Sequence, residues 1–229
     1  MAGLPRIADY PMPTAADLPA ARVGWTLEPQ RAALLVHDMQ RYFIGAFDRS
    51  GPLVDTLIAN VDAIRRAADA SGVPVFYTAQ PGDQDPALRG LQADFWGPGM
   101  TSAPEHQQIV EPLMPRPSHH VLTKWRYSAF ERSSFGDDLK ALGRDQLIVT
   151  GVYASIGCLL TAAQAFMRDV QPFVVADAVA DFTRARHDEA IAYLAGRCAV
   201  VLPAADVVAR LTTGAETSSV TSGGQETAR

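Results

Sequence analysis

The chain has 229 residues, 48% of them hydrophobic, a formal net charge of −5 and two cysteines. That is enough apolar material to fill the core of one α/β domain, and too acidic a balance for a general nucleic-acid surface. A small anionic ligand would have to be met by local Arg and Lys side chains, because the overall field opposes it.

The N-terminal stretch MAGLPRIADYPMPTAADLPA lacks the apolar h-region of a signal peptide. No apolar run approaches the length of a membrane span, so neither a membrane nor nucleic acid is an expected partner. The expected compartment is the cytoplasm, with Cys158 and Cys198 as reduced thiols.

Residues 1–30 are Pro-rich and irregular and read as an arm on the domain surface. Ala32 to Val36 form a continuous apolar run, the pattern of a parallel strand buried on both faces, closed by His37 and Asp38. LVDTLIANVDAIRRAADASG has apolar residues at helical spacing and ends on Gly72, a helix C-cap. VPVFYTAQ is a second strand. Residues 81–103 hold many Pro and Gly and read as a long loop or lid. PEHQQIVEPLM reads as a short helix and HHVLTKW as a third strand. SSFGDDLKALGR is a helix opened by a Ser N-cap. DQLIVTGV is a fourth strand, followed by a tight turn and the helix GCLLTAAQAFMRDV. QPFVVADAVADF, RHDEAIAYLAGRC, AVVLPA and ADVVARL then read as strand, helix, strand and helix.

This alternation predicts an α/β fold: a three-layer αβα, doubly wound, six-stranded parallel sheet. The domain is expected to span residues 31–211. The tail 212–229, dominated by Ser, Thr and Gly, is expected to be disordered.

Ligands of such sheets bind beyond the carboxyl ends of the strands. Asp38, Gln80, Lys124 and the turn Gly151–Cys158 are expected on that rim, and the loop 81–103 brings Arg89 and Trp96 to it. An Asp after a strand often caps a helix, but Asp38 and Lys124 on one rim suggest a coupled pair. Asp177 and Asp181 read as structural or solvated, Arg126 and Arg132 as surface charges, and His119 and His120 as surface residues. No His pair has metal-ligand spacing, and no Walker or GxGxxG loop follows the first strand. No metal and no cofactor are therefore expected. Cys158, near a helix start, is a candidate nucleophile on position alone.

LLVHDMQRYF, YTAQPGDQ, DFWGPGM, LTKWRYSAF, GRDQLIVTGVYASIGC and RDVQPFVVADAVADF together resemble the isochorismatase family of cysteine-hydrolase-like α/β proteins, over about residues 4–211. Within it the chain is similar to the isochorismate hydrolases of catecholate siderophore synthesis and to the 2-amino-2-deoxyisochorismate hydrolases of phenazine-type pathways. The arm and RGLQADFWGPGM lean towards the second group, which places the protein in secondary or antibiotic biosynthesis and implies a homodimer.

Amidases of the broader family use an Asp–Lys–Cys triad. Asp38 and Lys124 match its first two members, but the nucleophile position falls on Gly157, one residue before the cysteine. A one-residue shift at a helix start turns a side chain by about 100°. The resemblance therefore implies a metal-free vinyl-ether hydrolysis with no covalent intermediate. Asp38 would protonate the enolpyruvyl methylene, Lys124 would fix Asp38, and Gly157 would leave space for substrate or water. Substrate carboxylates and an apolar pocket are expected to raise the Asp38 pKa in the complex. Arg89 and Gln80 are expected to bind substrate carboxylates, with Tyr153, Trp96 and Phe43 lining the ring pocket. Ser155 stands where the siderophore and phenazine enzymes tend to carry His, and so bears on ring specificity. The resemblance also implies a cis Val152–Tyr153 peptide. The expected substrate is aminodeoxyisochorismate; isochorismate is the alternative, and a Cys158-dependent amidase the second alternative.

Overall fold

A computed structural model describes residues 4–221. Six parallel strands form one sheet: β1 (Ala32–His37), β2 (Val75–Ala79), β3 (His120–Thr123), β4 (Gln146–Val152), β5 (Gln171–Ala180) and β6 (Val200–Leu202). Their spatial order is β3-β2-β1-β4-β5-β6. The order reverses between β1 and β4, and a crevice opens at such a switch point beyond the strand ends.

Every residue of β1 and β4 is buried, as their unbroken apolar runs require of central strands covered on both faces. Alternate side chains serve two cores. Leu34 and Val36 join one with α2 (Leu53–Ala70) and the last helix, α9 (Ala204–Thr221). Ala33 and Leu35 join the other with α6 (Phe135–Ala141), α7 (Leu159–Phe166) and α8 (Arg184–Arg197). The expected three-layer, doubly wound architecture is the one observed.

Several local features differ from expectation. The 81–103 segment contains α3 (Pro86–Arg89) and α4 (Gln92–Trp96), each a single turn and too short to show helical periodicity. The helix expected over PEHQQIVEPLM stops after one turn, as α5 (Pro104–Gln107), because Gln108 is extended and Ile109 bridges to Gln40. A further short helix, α1 (Arg41–Ile44), follows β1. The arm is more than a surface strap: Ile7, Tyr10 and Leu27 are buried, and the Tyr10 hydroxyl accepts from Asp181 N at 2.8 Å.

His119 is not a surface residue; its Nε2 lies 2.8 Å from Asp69 Oδ1 and its ring stacks on Tyr77. Asp181 is fully buried. At the other end, α9 continues past residue 211 to Thr221, anchored by buried Val207 and Leu211. Residues 212–221 of the expected disordered tail are therefore helical, since a packed segment supplies the costly nucleus that a polar extension lacks. The rest of that tail, 222–229, lies outside the described residues. Among the described residues no helix is long and apolar enough to cross a membrane.

Candidate active site

Asp38 leaves β1 in the left-handed region, at φ +50°. A non-glycine residue is held there only where its surroundings over-determine it, which concentrates such residues at functional sites. The surroundings here are hydrogen bonds. Asp38 N donates to Thr78 Oγ1 at 3.0 Å, and the same hydroxyl donates to Asp38 Oδ1 at 2.5 Å. Lys124 Nζ donates to Oδ2 at 2.9 Å, and Gln80 Nε2 approaches the same oxygen at 3.4 Å. In the sheet β2 lies between β1 and β3, so the long lysine stem crosses the end of β2 to reach the carboxylate. Both partners are almost fully buried.

Burial alone would push the Asp38 carboxyl upward. The Lys124 ammonium, His37 and the hydrogen bonds from Thr78 and Lys124 outweigh it and hold the carboxyl below the ordinary carboxylate value.

A cavity opens above this pair. Asp38, Lys124, Gly157, Gln80, Arg89, Tyr153, Trp96 and Phe43 all line it. Ser155 does not; its backbone N–H donates to the buried carboxylate of Asp181 at 2.5 Å, behind the cavity wall. An effect of Ser155 on ring specificity would thus have to pass through the turn.

Several contributors were not legible in the sequence, Gln92 and Ile156 among them. Leu4 of the arm closes one side, and Tyr42, Tyr127 and Phe182 complete the walls. The aromatics form a connected stack: Tyr153 on Phe182 at 4.2 Å between centroids, and Phe182 on Trp96 at 6.0 Å. Trp96 Nε1 also donates to the Tyr127 hydroxyl at 2.8 Å, which fastens α4 over the opening. The Tyr153 hydroxyl donates to the Phe43 carbonyl, so that ring is fixed edge and face. The Val152–Tyr153 peptide is cis, as the resemblance implied.

Among the described residues lining the cavity, Asp38 is the single acid, against two cations, Lys124 and Arg89. The pocket is therefore cationic in a protein of net charge −5.

The turn after β4 settles the geometry of its cysteine. Residues Ala154–Cys158 form one π-helical turn where a simple tight turn was expected, and α7 begins at Leu159. Gly157 faces the cavity. Cys158 points away into the core, fully buried, with Sγ 4.0 Å from the Thr150 carbonyl. Burial, reinforced by the Asp38 charge, pushes its thiol well above the ordinary value. Replacing Cys158 by Ala is therefore expected to leave turnover within about twofold of wild type, whereas a loss of about 10³-fold would identify it as a nucleophile.

Gly157 does not leave free space as expected. A Cβ built there would run into the His37 ring, with Nε2 and Nδ1 at 2.8 and 2.9 Å and Cε1 closer still. His37 itself is fully buried, and its Nδ1 lies 2.9 Å from the Val152 carbonyl. Burial and the neighbouring Lys124 lower its pKa to about 4, against upward pulls from Asp38 and the Val152 and Tyr127 carbonyls. The ring is neutral at physiological pH.

Comparison with known proteins places this geometry. The Isochorismatase domain model matches residues 32–206. The chain is 50% identical over 208 residues to the phenazine biosynthesis protein PhzD1 of Pseudomonas aeruginosa, covering 91% of this chain and all of the relative. It is also 50% identical over 196 residues to the isochorismatase of Bacillus subtilis, covering 86% of this chain but only 63% of that longer protein. Among solved structures, a cysteine hydrolase from Pseudomonas syringae shares the fold at a TM-score of 0.76 and 21% identity, over 86% of this chain and 98% of that one. The chain belongs to the isochorismatase family of hydrolases.

Proposed function

We propose that the protein hydrolyses the enolpyruvyl vinyl ether of 2-amino-2-deoxyisochorismate to pyruvate and trans-2,3-dihydro-3-hydroxyanthranilate, by proton transfer from Asp38 and without a covalent intermediate. The observation that carries the reading is the Asp38–Lys124 pair beside Gly157 in a cavity whose lining, among the described residues, holds no Cys, Ser or Thr side chain. A site of this composition offers a proton donor and no ready acyl acceptor.

The chemistry suits an enol ether, CH2=C(COO⁻)–OR. Asp38 delivers its proton to the methylene carbon, and the ether oxygen stabilises the cation formed at the adjacent carbon. Water adds to that carbon and returns a proton to Asp38. The hemiketal then collapses to pyruvate and the ring alcohol, so one water is consumed and the protein is restored.

Lys124 holds Asp38 in line and faces the oxygen on which negative charge develops. Arg89 offers its guanidinium to a substrate carboxylate, and Gln80 is placed for a second polar contact. The aromatic stack of Tyr153, Phe182 and Trp96 provides a flat wall for the ring. Bringing two carboxylates beside Asp38 disfavours its charged form, which raises its pKa towards one that allows protonation.

The preference for the amine rests on the phenazine relative, which is matched over its whole length, and on Leu4, by which the arm reaches the cavity. Isochorismate, giving 2,3-dihydro-2,3-dihydroxybenzoate and pyruvate, is the alternative that the Bacillus relative favours. A pyruvate assay with the two substrates side by side, with and without chelator, tests both. The expected result is chelator-insensitive release from both, with the larger kcat/KM for the amine. A larger value for isochorismate would reverse the preference, and release from neither would overturn the reading.

A further inference from the structure

The slot below Gly157 is filled from the opposite strand. Two glycines bracket the end of β4 and the turn after it, and both press on the same residue. A Cβ on Gly151 would strike the His37 backbone, and one on Gly157 would strike the His37 ring. The ring has nowhere to retreat. It is fully buried at the end of the central strand and tethered through Nδ1 to the Val152 carbonyl. A carbonyl can only accept, so Nδ1 carries the hydrogen and Nε2 presents a lone pair. Among the described residues that Nε2 makes no hydrogen bond of good geometry, although buried polar atoms are nearly always paired and the Tyr127 carbonyl also pulls on the ring. Its Nδ1 lies 3.7 Å from Asp38 Oδ2, so the ring also backs the catalytic carboxylate.

We propose that His37 is the residue that sets the reaction class of this site: its imidazole occupies the volume that a side chain at position 157 would need, and so keeps a nucleophile out of the Asp38–Lys124 pocket. Glycine at 157 is then a consequence of histidine at 37. The two positions form one steric unit, and a thiol at 157 becomes possible only when the ring is removed. His37 acts through its neighbours and is a positioning residue; it does not line the cavity. The inference starts from the reading of Asp38 and Lys124 as the reacting pair, but its test requires no vinyl-ether turnover, so the two can fail separately.

The test is a double-mutant cycle on the full chain, using Gly157→Ala and Gly157→Cys in the wild-type and His37→Val backgrounds. Valine keeps a strand-forming side chain on β1 and removes the far end of the ring. Thermal midpoints and iodoacetamide alkylation at position 157, read by peptide mass from pH 5 to 9, are the measurements. Overpacking is expected to lower the midpoint of Gly157→Ala by roughly 4–10 °C in the wild-type background, or to abolish soluble expression. In the His37→Val background the same change is expected to cost less than half as much. The thiol of His37→Val/Gly157→Cys, facing the Lys124 ammonium, is expected to titrate at least one pH unit below the ordinary cysteine value of about 8.5.

A Gly157→Ala protein as stable as wild type would overturn the proposal outright. So would equal costs in the two backgrounds, or a thiol at 157 that titrates normally. A soluble double variant alongside an insoluble Gly157→Cys single variant would be the strongest form of support.

Discussion

Asp38→Asn is expected to reduce pyruvate release by at least about 10³-fold, towards the upper end of what a general acid contributes, because the proposed mechanism takes its proton from Asp38. Asparagine keeps the shape and can still accept from Thr78, so the loss would report the proton and not a collapsed site. Substrate binding is expected to hold or tighten, since Lys124 loses its anionic partner and turns its charge to the dianion. Lys124 is buried, and breaking a buried pair from one side costs stability of about 3–5 kcal/mol. The comparison therefore belongs at a temperature well below the lowered midpoint.

The pH profile carries the same argument. Asp38 is held below the usual carboxylate range by Lys124, His37 and Thr78 against the opposing effect of burial, so between pH 5 and 8 its carboxyl is ionised in the free enzyme. In the proposed mechanism the reactive form needs a proton that the free enzyme lacks, and each unit of rising pH makes it tenfold scarcer. Log kcat/KM is expected to fall with a slope of about −1 over this range, while kcat stays level up to the raised pKa of the complex. A flat kcat/KM would place the proton on Lys124 instead, passed through Asp38 within the pair.

The features that were legible in the sequence are those that a local pattern encodes. The run AALLV reads as a central strand because a strand covered on both faces has no polar side. Asp38 and Lys124 read as rim residues because strand ends fall on one edge of a parallel sheet. That they meet, across the width of β2 and with Thr78 as the third partner, depends on the order β3-β2-β1, which no local pattern contains. His37 is the clearest omission. It adjoins Asp38 in the chain and closes an apolar run, yet its function lies in a contact with Gly157 on another element. Phe182 and Tyr127 escaped for the same reason. The single-turn helices α3 and α4 lie below any periodic signal, and what fixes them is the Trp96–Tyr127 hydrogen bond and the stack on Phe182. Cys158 drew the eye because a helix start favours a thiolate, but the π-helical turn that points it into the core has no signature in composition.

Arg89→Met is the second substitution with a large expected effect, and its sign on stability is the informative part. The guanidinium is 4% exposed, yet among the described residues it makes a single hydrogen bond within the protein, from Nε to the Gly97 carbonyl at 2.6 Å, and no ion pair. Burial lowers its pKa from the ordinary arginine value, though not enough to discharge a guanidinium. Its two terminal nitrogens face Gly99, where a Cβ would come within 2.7 Å of Nη1 and 3.0 Å of Nη2, so the absence of a side chain there keeps the fork open to the cavity. A buried cation with no anion opposite it is a cost to the fold, and a ligand carboxylate is what would offset it. Methionine, with similar length and no charge, removes that cost. The expected result is a thermal midpoint at or above that of wild type, together with a loss of roughly 10²–10³-fold in kcat/KM carried mainly by KM. Arg89→Lys, which keeps the charge but not the bidentate fork, is expected to fall between the two. A Met variant that loses stability with KM unchanged would make Arg89 a structural clamp for α3 and α4, and the substrate carboxylate would then need another partner in the cavity.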